Sequence, residues 1–233
     1  MTKLADLNES QRWKLMVMAA KRGAEGAGYK LTRLPGKGLS NVYEVERDGK
    51  KLRASIRTTR DRWIAFPPLK SGKEWKTLSG VDLVIVATVD NKDHPEWVQV
   101  FIFDASDVRA RFDQAYKART SAGNVVRDNF GMWVGLDLDR RGGIYTAGSG
   151  IVDGKEALAN FRIEFLIDAL GDSSIADGDV EAESDESRSP LSGHAGLAAL
   201  NTIADVKEWA RQRAAEIAGV SKESVTIDLR IEY

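Results

Sequence analysis

Lys50-Lys51-Leu52-Arg53-Ala54-Ser55-Ile56-Arg57-Thr58-Thr59-Arg60-Asp61-Arg62-Trp63 is the stretch on which the fold turns. Successive side chains of an extended chain point to opposite sides, so Lys51, Arg53, Ser55 and Arg57 share one side and Leu52, Ala54 and Ile56 the other. A row of like charges on a strand repels itself and needs water or an anionic partner. Upstream, residues 41–47 alternate in the same way, and Asp48-Gly49 between the two runs is a hairpin turn signal. Downstream, residues 62–66 read as a short strand stopped by Pro67-Pro68. Residues 81–89 form a nearly continuous β-branched run, the signature of a central strand covered on both faces.

Further elements lie on either side of this hairpin. Asn8 or Ser10 caps a helix running to about Ala24, closed by Gly26 and Gly28. Residues 29–34 read as a strand, and Pro35-Gly36-Lys37-Gly38 as a loop. Residues 97–103 are a further strand, and Ala105-Ser106-Asp107 starts a helix to about Arg119 with Val108, Phe112, Ala115 and Tyr116 on one side. Residues 130–138 are expected as a strand. A short apolar helix is expected after Asp153-Gly154-Lys155-Glu156, running to Leu170. Residues 171–196 are rich in Gly, Ser, Asp and Glu and read as an acidic linker or loop. A helix from Thr202, closed by Gly219, then leads to a strictly alternating strand from Val225 to Tyr233. The expected organisation is a main α/β domain over 1–170, the linker over 171–196, and a helix–strand unit over 197–233. That last unit either packs on the main sheet or pairs two copies through residues 225–233.

Composition narrows the function classes. Of 233 residues, 42% are hydrophobic and 30% charged, as in an ordinary globular protein. The net charge of −1 hides an asymmetry: residues 1–70 carry sixteen Lys and Arg against seven Asp and Glu, while residues 171–189 carry seven acids against Arg188. A basic amino-terminal part points towards a polyanion. The absence of cysteine excludes disulfides and thiolate chemistry, and with only His94 and His194, histidine-rich metal sites are excluded as well. No signal-like apolar run or membrane-length segment is present, which leads to the expectation of a cytoplasmic protein with no membrane partner.

The order helix, strand, hairpin, short strand, central apolar strand, strand, helix resembles the PD-(D/E)xK restriction-endonuclease-like superfamily over residues 10–120. Ala54-Ser55-Ile56-Arg57-Thr58-Thr59 stands where that family has its catalytic strand. Residues 62–66 and 81–86 are similar to the family's later strands, and Asp104-Ala105-Ser106-Asp107-Val108 to its strand-to-helix passage. The resemblance implies a mixed sheet flanked by helices. In such nucleases, an acid on the first hairpin strand and an acid two residues before a lysine hold magnesium, because hard divalent ions prefer oxygen ligands. Here the second motif reads Ser55-Ile56-Arg57, and the first acid falls at Asn41 or is displaced to Glu44 or Glu46. Serine brings no charge, and arginine stays protonated and cannot serve as a base.

The expectation is therefore a non-catalytic nucleic-acid-binding or regulatory protein, with DNA favoured over RNA, no metal and no required cofactor. Lys37, Lys51, Arg53, Arg57, Arg60 and Arg62 are the candidate phosphate contacts, since the guanidinium fork donates two hydrogen bonds to one phosphate. The alternatives are a magnesium-dependent endonuclease using Glu44, Glu46 and Arg57, and a homodimeric interaction module joined through residues 225–233. Trp63 and Phe66 are expected in the core. Asp137 and Asp139 are expected at an exposed strand end, and Asp90-Asn91-Lys92-Asp93-His94-Pro95 in a turn.

Overall fold

Asn8 Oδ1 accepts the Gln11 backbone N–H at 2.9 Å, and Gln11 Oε1 accepts the Asn8 N–H at 3.0 Å. This reciprocal cap starts α1, Glu9–Gly26. The computed structural model describes residues 3–34, 41–140, 142–172, 207–208, 210–211 and 221–227. The chain divides into two compact units, Met1–Ser189 and Pro190–Tyr233. In the first, α1 is followed by β1 (Lys30–Arg33), β2 (Val42–Arg47), β3 (Lys50–Thr59), β4 (Trp63–Ala65), β5 (Pro68–Leu69), β6 (Glu74–Trp75), β7 (Leu83–Val89) and β8 (Trp97–Asp104). Then come α2 (Ala105–Ser121), β9 (Trp133–Gly135), β10 (Ala159–Arg162) and α3 (Ile163–Asp172).

The molecule is α/β. Its main sheet has the order β1-β2-β3-β7-β8-β10 and is mixed: β3 and β7 run parallel, and the other neighbours are antiparallel. The Asp48-Gly49 turn has both residues at positive φ (52° and 72°), matching the strand twist and fixing Arg47 opposite Lys50. β7 is buried at every position, as its unbroken apolar run requires.

Alternation divides the core in two. On one face Ala54, Ile56, Ile85, Ala87, Val98 and Val100 pack under α1 and α3 with Leu15, Met16, Ala20 and Leu166. On the other, Val42, Val84, Val86, Phe101 and Phe103 pack under α2 and the β4–β6 segment with Phe66, Trp75, Val108 and Phe112. Each large apolar side chain so covered contributes about 1.5–3 kcal/mol relative to exposure. Gly23 lets α1 ride directly on the sheet, because a Cβ there would meet Val100 at 2.9 Å. Between the parallel neighbours β3 and β7, no helix forms the crossover. Residues 60–82 instead carry β4, which pairs with β9, and the β5–β6 hairpin, and these cover the α2 face.

Three expectations are corrected. The strand expected over 130–138 is only Trp133–Gly135, because it pairs solely with three-residue β4, and Asn129 turns the chain with φ 60° just before it. The helix expected directly after Asp153-Gly154-Lys155-Glu156 begins only at Ile163, and Ala159–Arg162 is a strand on β8. Ala159 and Phe161 pack inward while Asn160 and Arg162 point out, a period of two within a stretch read as helical. In the second unit, Lys222–Ser224 is a 3-10 turn, and Val225 O accepts the Arg211 Nε–H at 2.8 Å, so residues 225–227 do not begin a strand. Residues 207–208 and 210–211 are helical as expected. The linker from 173 onwards, the rest of that helix, and positions 228–233 of the expected dimerising strand lie outside the described residues.

Candidate anion-binding cleft

The register of the β2–β3 hairpin places Glu44, Glu46, Lys51 and Arg53 on the outer half of the α2 face, with Ser55, Arg57 and Thr59 continuing inward. Arg53 is held by its backbone: its N–H donates to Asp82 Oδ2 and its carbonyl accepts the Asp82 N–H, both at 2.8 Å. The guanidinium is exposed and makes no side-chain hydrogen bond or ion pair among the described residues. Arg53 lines an open cleft of about 450 Å³, together with Leu34, Val42, Leu69, Glu74, Lys76, Thr77, Ser79 and Val81.

The opposite wall is built by residues 68–81. Gly72, at φ 77°, turns the β5–β6 hairpin against Tyr116, where any Cβ would lie 2.6 Å from the ring. Asp128 accepts the Ser71 N–H at 2.9 and 3.1 Å. Trp75 is 1% exposed, meets Phe112 edge-on at 5.2 Å, and donates its indole N–H to Asp113 Oδ1 at 2.8 Å. Ser79 Oγ accepts the Trp75 backbone N–H at 2.8 Å. Thr77 is β-branched yet sits at φ 58°, a conformation costing on the order of 1–3 kcal/mol. Its hydroxyl accepts from Arg57 Nη2 and donates to Lys76 O at 2.7 Å.

The six cations expected to form one stripe are thus distributed. Arg57 is 9% exposed, with its guanidinium carbon 4.3 Å from the Phe66 ring centroid. It is a structural strut beneath the cleft wall. Arg62 donates Nε and Nη2 to Asp137 at 2.7 and 2.8 Å, and Nη1 to Val89 O and to Gln99 Oε1. Arg60 lies past the strand end beside Arg12 and Glu9 of α1; burial and then the Arg12 charge push its pKa down. Lys51 is exposed and donates to Glu44 Oε1 at 3.0 Å; that bond, with the charges of Glu44 and Glu46, raises its pKa. Lys37 lies outside the described residues. Of the six, Arg53 lines the cleft and Lys51 shares its strand face.

The alternative set Glu44, Glu46 and Arg57 is not brought together. Glu44 stands opposite Arg53, and Arg57 is four residues farther along β3, about 13 Å. Glu46, opposite Lys51, is farther still. Asn41 contributes its carbonyl, which accepts the Ile56 N–H at 2.8 Å, and the Ser55 hydroxyl is buried without a hydrogen-bond partner. These positions do not fit a magnesium ion: the nearest motif places carry a hydroxyl and a guanidinium, and the carboxylates of Glu44 and Asp82 are engaged elsewhere. Among the described residues, no group of three or more His, Asp or Glu is placed to hold a metal. Phe66 is fully buried in the core as expected, whereas Trp63 is only half-buried and belongs to neither core cluster. The Asp90 and Asn91 side chains accept backbone N–H groups of residues 93–97, which makes that segment the expected turn.

Sequence reading missed the wall 68–81. Its only signals were turn pairs, Ser71-Gly72 and Ser79-Gly80, around a lone Trp75. No helix among the described residues is long and apolar enough to cross a membrane. No family model, no curated protein and no solved structure matches this chain.

Proposed function

We propose that this protein binds nucleic acid without cutting it, on a restriction-endonuclease-like sheet, and that the Arg53 cleft receives backbone phosphate. The observation that carries this reading is the exposed Arg53 guanidinium, which has no hydrogen-bond or ion-pair partner among the described residues, is fixed in position by its doubly bonded backbone and shares the cleft with Ser79, whose hydroxyl proton is not committed to a partner among those residues. Such a donor set is suited to an oxyanion. The family reading is supported by the order of elements from α1 to α2 and by the mixed sheet; the replacement of the family's catalytic acid and lysine by Ser55 and Arg57 supports binding over cleavage.

The test is fluorescence anisotropy of labelled DNA and RNA over a salt titration. Affinity is expected to fall steeply with salt. Arg53→Ala should weaken it roughly tenfold and reduce the salt slope by about one contact. A protein that binds neither DNA nor RNA, or whose affinity ignores both salt and Arg53, overturns the proposal.

A further inference from the structure

Beyond the cleft, the surface carries an aromatic array that the core does not use. Phe130 and Tyr145 are 63% and 62% exposed. Phe130 meets Trp133 edge-on with centroids 6.4 Å apart. Arg119 joins them to Tyr145: its Nη2 donates to Trp133 O at 3.0 Å, and its guanidinium carbon lies 5.9 Å from the Tyr145 ring. Two donors in the array, Trp133 Nε1 and Arg119 Nε, are shut from solvent and have no acceptor among the described residues.

The stretch of chain leading to Phe130 is basic. Residues 109–127 contain Arg109, Arg111, Lys117, Arg119 and Arg127 against the single acid Asp113, whose carboxylate accepts from Trp75. Arg127 is exposed and has no ion-pair partner among the described residues. The next acid, Asp128, is committed to the Ser71 N–H. Two largely exposed rings, with the Arg119 guanidinium at one of them and a basic stretch of chain leading to the other, suit a chain that alternates flat apolar surface with negative charge.

Position ties the array to the cleft. The β5–β6 hairpin supplies Leu69, Glu74 and Trp75 to the cleft. The same hairpin is bonded to the loop before Phe130, through Asp128 to Ser71 and through the Asn129 N–H to Pro68 O at 2.9 Å.

We infer that Phe130 and Tyr145 form a base-stacking platform, and that the nucleic acid held is a single strand running from the Arg53 cleft over this hairpin onto the two rings. The inference rests on the phosphate-binding reading of the cleft. A duplex hides its base faces inside the stack, whereas an unpaired strand presents each face to a ring of any sequence context.

The experiment titrates the full chain with three labelled probes of equal length: oligothymidine, the same phosphodiester chain lacking bases, and a duplex. Oligothymidine is expected to bind at least roughly tenfold tighter than the other two. Phe130→Ala with Tyr145→Ala should bring oligothymidine down to the level of the baseless chain and leave the baseless chain unaffected. Phe130→Trp should preserve the difference, and circular dichroism checks that each variant is folded. Arg53→Ala should weaken all three probes alike. Equal binding of oligothymidine and the baseless chain, or tighter binding of the duplex, overturns the platform while leaving the cleft intact. Loss of base preference in the ring variants with no effect of Arg53→Ala removes the cleft instead. Binding of none of the probes, including the case in which the array serves an acidic protein, overturns both.

Discussion

Removing the Arg57 side chain takes away a stack on Phe66 and a hydrogen bond to Thr77 together. Arg57→Ala is expected to destabilise the fold by about 2–4 kcal/mol, read as a lower urea midpoint, with the salt slope of nucleic-acid binding unchanged in the folded fraction. Arg57→Lys keeps the charge but loses the planar stack, and should recover less than half of that loss. An unshifted midpoint in Arg57→Ala would show that the strut carries no stability. Alternation along 51–57 assigned the correct face to Arg53, Ser55 and Arg57. It carried no information on depth, because the cover that buries the inner half comes from Phe66 and Thr77, and their position depends on contacts far along the chain. The useful cation was therefore legible as one of six, and its isolation was not.

Among the elements, the two-stranded sheet β4–β9 packs on the main sheet through Ile64 and Val134 and is tied to it by the Arg62 side chain. Arg62, at φ 64°, reaches Asp137 just past β9, the last carbonyl of β7, and Gln99 on β8. Asp137→Asn should cost about 1–2 kcal/mol, a value tempered by the 57% exposure of the Asp137 side chain. A double-mutant cycle with Arg62→Ala should show the two losses to be strongly non-additive, and additivity would mean the pair is not coupled. Elements with their own local signals were legible: the Asn8 cap, the Asp48-Gly49 turn and the run over 83–89 each act within a few residues. β10 was not, since Ala159–Arg162 becomes a strand only because β8 offers an edge, and the apolar sequence after it is helical.

For the first unit as a whole, burial is deepest at the centre of the sheet. β7 is covered on both faces and paired on both sides, so its amides are expected to exchange with deuterium only through global unfolding, while those of β5–β6 exchange orders of magnitude sooner. Equal protection of the two would contradict this layered picture. The basic surplus of residues 1–70 was real in the sequence but does not make one surface. Lys21 lies over Tyr43, Arg47 over Tyr29 and Arg57 over Phe66, so part of the charge is distributed among ring contacts on both faces. The parallel junction of β3 and β7 bears on how the chain reaches this state. The β2–β3 and β7–β8 ribbons close locally, on the microsecond scale of hairpins. Ser55 meets Val84 only when residues 60–82 have been looped out, which makes docking of the two ribbons the late and slow event. Until then Phe66 and Trp75 have nothing to cover. The period before that docking is when a crowded solution of newly made chains is most exposed to clumping, and the parallel seam sets its duration.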